Sequence, residues 1–248
     1  MFVPDIHEFM LVSFVFLAAG GVKGVLGMGL PTVAMGLLGL MMPVAEGAAL
    51  LVLPSLVTNL WQMLRGAHLR TLLKRLWPML AGVCLGVALG HGWMATPGGH
   101  ALLWLGLSLV AYALAGLAGL RLPAPKPGHE APASGLIGAL TGLLTAATGV
   151  FVLPAVPWLH ALGLKKEAMA QALGLSFTVS TLALAVTLAG SRHLNADSAT
   201  QSLLMLFPAL LGMWLGQRLR DELSQDSFRT FFMIGLLLLG GWLVWQGW

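Results

Sequence analysis

Each half of this chain carries a hydrophobic segment that glycine and proline interrupt at the same place. An interrupted apolar helix is tolerated only where protein or water satisfies the backbone groups it releases. In the first half Gly20, Gly24, Gly27, Gly29 and Pro31 follow an apolar run; in the second, Gly138, Gly142, Gly149 and Pro154 do. Behind each interruption come a polar-dotted segment, a polar loop with a His-Leu pair (His68-Leu69, His193-Leu194) and a Pro-x3-Gly-x3-Gly segment (Pro78, Gly82, Gly86; Pro208, Gly212, Gly216). The chain is therefore a duplicated unit. Duplication with a broken segment at corresponding positions is the pattern of secondary transporters built from internal repeats, whose breaks surround the binding site.

Composition makes the unit a membrane one: of 248 residues, 58% are hydrophobic and 9% charged, far from a soluble domain. Apolar segments run over about 9–28, 30–44, 47–64, 76–95 and 101–120, then 135–149, 150–163, 168–189, 201–217 and 229–248. The second segment of each half is too short for an easy crossing and has proline at or near its start, as broken or re-entrant helices do. Residues 121–134, rich in proline and polar groups, cannot continue a helix. Three parts follow: a first transmembrane repeat over 1–120, a cytoplasmic linker over 121–134 and a second repeat over 135–248. Asp5, His7 and Glu8 precede the first segment in place of a basic stretch, so that segment is read as retained and not as a signal peptide. Cys84 is the only cysteine, which leaves no intrachain disulfide and no cysteine metal cluster; it reads as a small packing residue.

Charge orients the pieces. If each broken pair of segments returns the chain to the side it came from, each half makes three further crossings and the halves are inverted. One face then receives Arg65, Arg70, Lys74, Arg75, Arg121, Lys126, Lys165, Lys166, Arg218, Arg220 and Arg229, and the other receives Arg192 alone. Counting each pair as one crossing divides the same loops seven against five, which orients nothing. The positive-inside rule therefore favours inverted repeats, with the basic face cytoplasmic and both termini extracytoplasmic. The fold class expected is all-α and polytopic, each repeat a Gly/Pro-broken helical hairpin followed by three transmembrane helices. Cations in short loops set orientation, so nucleic acid is not implied.

Lys23 is the one cation inside an apolar segment away from its ends, where it costs at least about 2.5 kcal/mol unless it faces water or a partner. It marks a candidate site; the alternatives are snorkelling or structural pairing with a carbonyl. Aligned on the glycines, Lys23 falls opposite Thr141, Gly27 opposite Thr145 and Leu30 opposite Thr148, so three threonines at i, i+4 and i+7 share a face in the second half. Gly27, Gly29 and Pro31 release backbone, and the half-helix that follows points unpaired N–H groups and a positive dipole end at the break, through Thr32. With Lys23 nearby this suits an anion, and Thr145, Thr148 and Gly149 can supply the other half. Alanine at Gly27 or Gly29 is expected to favour a continuous helix without loss of folding. Gly20-x3-Gly24 and Gly138-x3-Gly142 read as close helix packing. The third segments carry polar groups, Thr58, Asn59 and Gln62 in one half and Gln171, Ser176, Thr178, Ser180 and Thr181 in the other; Asn59, Gln171 and Thr178 are the candidate ligands, with helix-to-helix bonding the alternative. No His-x3-His, P-loop, nucleophile elbow or carboxylate pair occurs, so no catalytic residue, metal or cofactor is expected. Trp61, Trp77, Trp93, Trp104, Trp158, Trp242, Trp245 and Trp248 mostly sit near segment ends, as an interfacial belt would place them.

Through Gly20-Gly-Val-Lys-Gly-Val-Leu-Gly-Met-Gly-Leu-Pro31, the stretch from Glu46 to Asn59 and the repeat from Gly138 through Leu182, the chain resembles the sulfite exporter TauE/SafE family of bacterial membrane permeases. The first break is less glycine-rich than the family's usual one, with Met28 and Leu30 intervening, and the second reads Thr-Ala-Ala-Thr-Gly. The resemblance implies a non-enzymatic secondary exporter in a bacterial inner membrane. Its cargo would be a small sulfur-containing or organic anion such as sulfite, a sulfonate or sulfoacetate, carried by alternating access around the two broken hairpins. The bilayer and the anion are the partners expected, and a homo-oligomer is left open. An anion channel and a non-transporting structural subunit are the rival readings.

Overall fold

The computed structural model describes residues 6–96, 100–120, 122–126, 128–220 and 222–248. Asp5, Arg121 and Pro127, used above for charge and for the linker, lie outside them. Among the described residues the regular structure is all helical: α1 (Ile6–Leu26), α2 (Leu30–Leu38), α3 (Val44–Leu64), α4 (Leu69–Leu89) and α5 (Ala101–Leu117), then α6 (Glu130–Thr148), α7 (Ala155–Ala161), α8 (Lys166–Gly190), α9 (Ala196–Leu219) and α10 (Gln225–Gly247). Seven of these are long and apolar enough to cross a membrane, while α5 is shorter and α2 and α7 have 9 and 7 residues. Large apolar side chains such as Phe207, Leu238 and Val186 are exposed on the outside, a surface suited to lipid and not to water. The chain is a multi-pass membrane protein.

Glycine sets the closest contacts. A Cβ on Gly20 would stand 2.1 Å from the Ala209 carbonyl oxygen and one on Gly212 2.0 Å from that of Leu17, so α1 and α9 touch backbone to backbone. The same holds for α4 and α6, where Gly138 faces the Met79 carbonyl at 2.0 Å and Gly86 that of Ala139 at 2.1 Å. The two Pro-x3-Gly-x3-Gly helices are thus the partners of the two small-residue helices, each taken from the other half of the chain. This assigns Gly20, Gly24, Gly138 and Gly142 to packing. In both pairs the residue numbers rise together along the contact, so the helices run in the same sense. Ser55 meets Thr181 while Met63 meets Gln171, so α3 and α8 run in opposite senses. Gly106 against Gly240 and Gly247 against Leu103 show the same for α5 and α10.

Pro54, inside α3, has no N–H to give the Leu50 carbonyl one turn back. Ser202 of α9 donates to that oxygen at 2.8 Å and accepts from Leu53 N–H at 3.0 Å, which repairs the ladder from a neighbouring helix.

Four details differ from the sequence reading. α4 and α9 begin at Leu69 and Ala196, several residues before their apolar runs, because nothing in Arg70 to Arg75 or Asp197 to Gln201 breaks a helix and charged turns can stand in the headgroup zone. α6 begins at Glu130, inside the stretch read as linker, where Glu130 pairs with Arg75 of α4 through Nε–Oε1 at 2.5 Å and Nη2–Oε2 at 2.9 Å. Cys84 is exposed on α4 and does not pack inside. Trp158 is buried on α7 and donates to Ser134 Oγ at 3.0 Å, so it belongs to the core and not to an interfacial belt.

Candidate functional site

α1 stops where glycine permits a left-handed backbone. Gly27 has φ 76° and Gly29 φ 107°, conformations that cost other residues about 1–2 kcal/mol. Gly27 N–H closes the last turn on the Lys23 carbonyl at 2.8 Å, and Val33 N–H opens α2 on the Gly29 carbonyl at 2.9 Å. Gly29, as N-cap, brings no side-chain acceptor and Pro31 has no N–H, so the N–H groups of Leu30 and Thr32 stand at the start of α2 without intrahelical acceptors. Thr32 is fully buried and its hydroxyl makes no hydrogen bond. Space beside Gly27 is open, whereas a Cβ on Gly29 would press on Val22 at 3.0 Å. Alanine is therefore strained at both glycines, which corrects the expectation that it would simply extend the helix.

Lys23 lies one turn before this break and is 4% exposed. Its Nζ donates to Asn59 Oδ1 of α3. Asn59 Nδ2 donates to Ser55 Oγ at 3.0 Å, Ser55 Oγ lies 3.2 Å from Thr181 Oγ1 of α8, and Thr181 Oγ1 donates to the Phe177 carbonyl at 2.7 Å. An ammonium can only donate, and the Thr181 proton is committed to the backbone. Every proton in the relay therefore points from α1 through α3 towards α8, and the Asn59 amide can face only one way. Among the described residues no carboxylate lies within ion-pair distance of Lys23. A buried ammonium that meets only neutral acceptors has capacity for an anion.

The second break is built differently. α6 runs through Thr145 and Thr148 and ends at Gly149, φ 72°, whose N–H closes on the Thr145 carbonyl at 2.8 Å. Gly149, not Thr145, is therefore the structural counterpart of Gly27, and α6 is one turn longer than the glycine alignment implies. Thr145 and Thr148 are buried and donate to the carbonyls of Thr141 and Leu144, each at 2.7 Å; Thr148 Oγ1 also accepts from Val150 N–H. They offer lone pairs to the interior, and Gly149 packs against Met35 of α2 and Ala48 of α3. Thr178 likewise donates to the Gly174 carbonyl at 2.7 Å.

Lys23 and Asn59 touch, and Gly27, Gly29 and Thr32 join them along the chain. Thr145, Thr148 and Gly149 gather at the other break. Gln171 stands apart from both: its Nε2 donates to the carbonyls of Met63 and Gly66 at 2.7 and 3.1 Å, and its Oε1 accepts from His68 N–H at 2.9 Å. It clamps the turn between α3 and α4. Gln171→Leu would remove three hydrogen bonds to a turn whose residues are half-buried or exposed, at about 0.5–1.5 kcal/mol apiece. The purified variant should melt well below the parent while binding substrate with unchanged affinity; a stable variant with weakened binding would return Gln171 to the site. Ser55, by contrast, joins the relay although the sequence reading passed over it. Its spacing of four residues before Asn59 on one helical face was the available signal.

On the face where α3 and α5 end and α10 begins, a cavity of about 170 Å³ is lined by Gly116, Leu117, Asp226, Arg229, Thr230 and Met233. One turn deeper on α5, Tyr112 donates to Met28 Sδ at 3.6 Å, within the first break.

A family profile described as sulfite exporter TauE/SafE matches residues 12–243. The chain belongs to that family, one of membrane transporters. No curated protein and no solved structure matches it.

Proposed function

We propose that this member of the sulfite exporter TauE/SafE family is a secondary exporter of small sulfur-containing or organic anions, such as sulfite, sulfonates or sulfoacetate. The anion is held at the first break by Lys23, by the N–H groups that open α2 and by Thr32, with Asn59 beside them. The observation that carries this reading is Lys23 itself, a cation buried in a membrane-spanning bundle with no carboxylate within ion-pair distance among the described residues.

Helix directions support inverted repeats. If α3, α4 and α5 cross in alternation, and α8, α9 and α10 likewise, the opposed pairs α3/α8 and α5/α10 make each helix of one half run against its counterpart. The like-directed pairs α1/α9 and α4/α6 then give α1 the sense of α3 and α6 that of α8. α2 and α7 become return strokes of hairpins, around which alternating access takes place. In this arrangement the ends of α3 and α9 and the starts of α4, α8 and α10 share one face with Arg65, Arg218, Arg70, Lys165 and Arg229, which the positive-inside rule makes cytoplasmic. A reporter fused after Trp248 should be active outside the cytoplasm, and one inserted near Pro125 inside it. Activity of both on one side would sink the inverted arrangement.

Uptake of labelled sulfite, taurine, sulfoacetate and thiosulfate into proteoliposomes, with and without a proton gradient, tests the function. Saturable flux of at least one of them is expected. Flux without saturation would mark a channel, and no flux with any of the four a structural subunit.

A further inference from the structure

The hydroxyls of α8 divide into two kinds. Thr178 and Thr181, on the side that meets α3, donate to carbonyls one turn back, as buried helical hydroxyls commonly do. Ser176 and Ser180 are equally buried, yet neither hydroxyl has a partner. At about 100° per residue, Ser176, Ser180, Thr187 and Ser191 fall within roughly 60° of one another, on the side of α8 away from α3. Thr187 and Ser191, with Leu184 and Leu188, line a cleft at the end of α8 that Ala45, Gly90, Gly92, Met94 and Ala146 complete. The cleft holds about 10 Å³, room for about one water molecule and too little for a sulfonate. Ser180, which with Ser176 forms the inner half of the stripe, is one residue from Thr181, where the relay from Lys23 ends.

Orphaned buried hydroxyls cost free energy unless something intermittently satisfies them. Resting on the transport reading above, we propose that the Ser176–Ser180–Thr187–Ser191 face of α8 is the far-side half of the anion's path, closed in this structure. Ser176 and Ser180 form a neutral second subsite in it that donates O–H groups to an oxyanion. Neutral donors hold an anion more weakly than an ammonium does. An exit subsite of that kind passes the anion to water without trapping it.

The lone cysteine makes the test clean, because Cys84→Ala leaves a background without thiols. In that background Ser180→Cys, Thr187→Cys and Val186→Cys are each treated, in sealed vesicles of known orientation, with a membrane-impermeant charged maleimide. Val186 is the control, adjacent to Thr187 but 73% exposed on the lipid side of the same helix. Thr187→Cys and Ser180→Cys should label from the face opposite the basic one at least about tenfold faster than Val186→Cys. Sulfoacetate at saturation should slow Ser180→Cys severalfold. Sulfite, which adds to maleimides itself, is unsuitable as the protecting ligand. Equal rates at Thr187→Cys and Val186→Cys, labelling only from the basic face, or no protection by any anion that the Cys84→Ala parent transports would each overturn the proposal. Should Ser180→Cys not accumulate, Thr187→Cys against Val186→Cys decides for the path, and Ser176→Cys takes over the protection arm. Failure of the transport reading shows separately, as absence of flux in the Cys84→Ala parent.

Discussion

Lys23→Ala should leave the protein folded and its transport largely lost. Among the described residues the lysine makes no ion pair, and its burial costs at least about 2.5 kcal/mol before any partner is counted, so removing it should hold or raise the melting temperature. What disappears is a charge-assisted contact to the anion of about 1.5–3 kcal/mol, roughly a ten- to hundredfold loss of affinity. Lys23→Arg keeps the charge but replaces a compact ammonium by a planar fork, and should fall between the two. Asn59→Asp is the sharper companion. It sets a carboxylate where Asn59 Oδ1 now accepts from Lys23, giving the ammonium a permanent counter-ion. Binding should fail in that variant although the lysine and the fold are intact. Measured on purified protein by thermal shift and by anion titration, normal affinity in both Lys23→Ala and Asn59→Asp would place the anion elsewhere. Collapse of Lys23→Ala in detergent would make the lysine structural.

What the sequence disclosed depended on whether a residue acts through its own helix or through distant backbone. The duplicated glycines, the short second segments and the buried lysine were legible, since spacing alone places them on one face or at one break. The register of the second break was not, because two constraints overlap there. Gly138 and Gly142 answer to the backbone of α4, while Gly149 answers to the need for a positive φ, and α6 runs one turn further before meeting the second constraint. The bonds that Gln171 makes were not legible for a related reason. An amide on a polar helical face looks the same whether it serves a ligand or an unsatisfied turn, and the turn at Met63 to His68 lies more than a hundred residues away in sequence. Helix ends escaped too, since an apolar run marks the hydrocarbon layer and not the last hydrogen bond of α4 or α9.

The second large effect is expected at the helix crossings. Gly138→Ala and Gly212→Ala should each destabilise the protein severely, and valine more so. The added Cβ would stand 2.0 Å from a main-chain carbonyl oxygen, of Met79 and of Leu17 respectively, and no rotamer change can move that atom. Relief requires the two helices to separate. Gly142 or Gly216 then loses its own close approach, and overpacking of this kind costs about 1–3 kcal/mol or more. Nor does helix propensity rescue the change, because the roughly 1 kcal/mol gained by alanine over glycine is smaller than the clash. Gly235→Ala and Gly241→Ala isolate that propensity term. Both glycines lie within α10 with nothing within 4 Å of the new methyl, so these variants should match or exceed the parent in thermal stability. A parent-like melting temperature for Gly212→Ala would mean that α1 and α9 do not meet at their backbones. The like-directed pairing of one half's first helix with the other half's fourth would then lose its main support, and with it the return stroke assigned to α2.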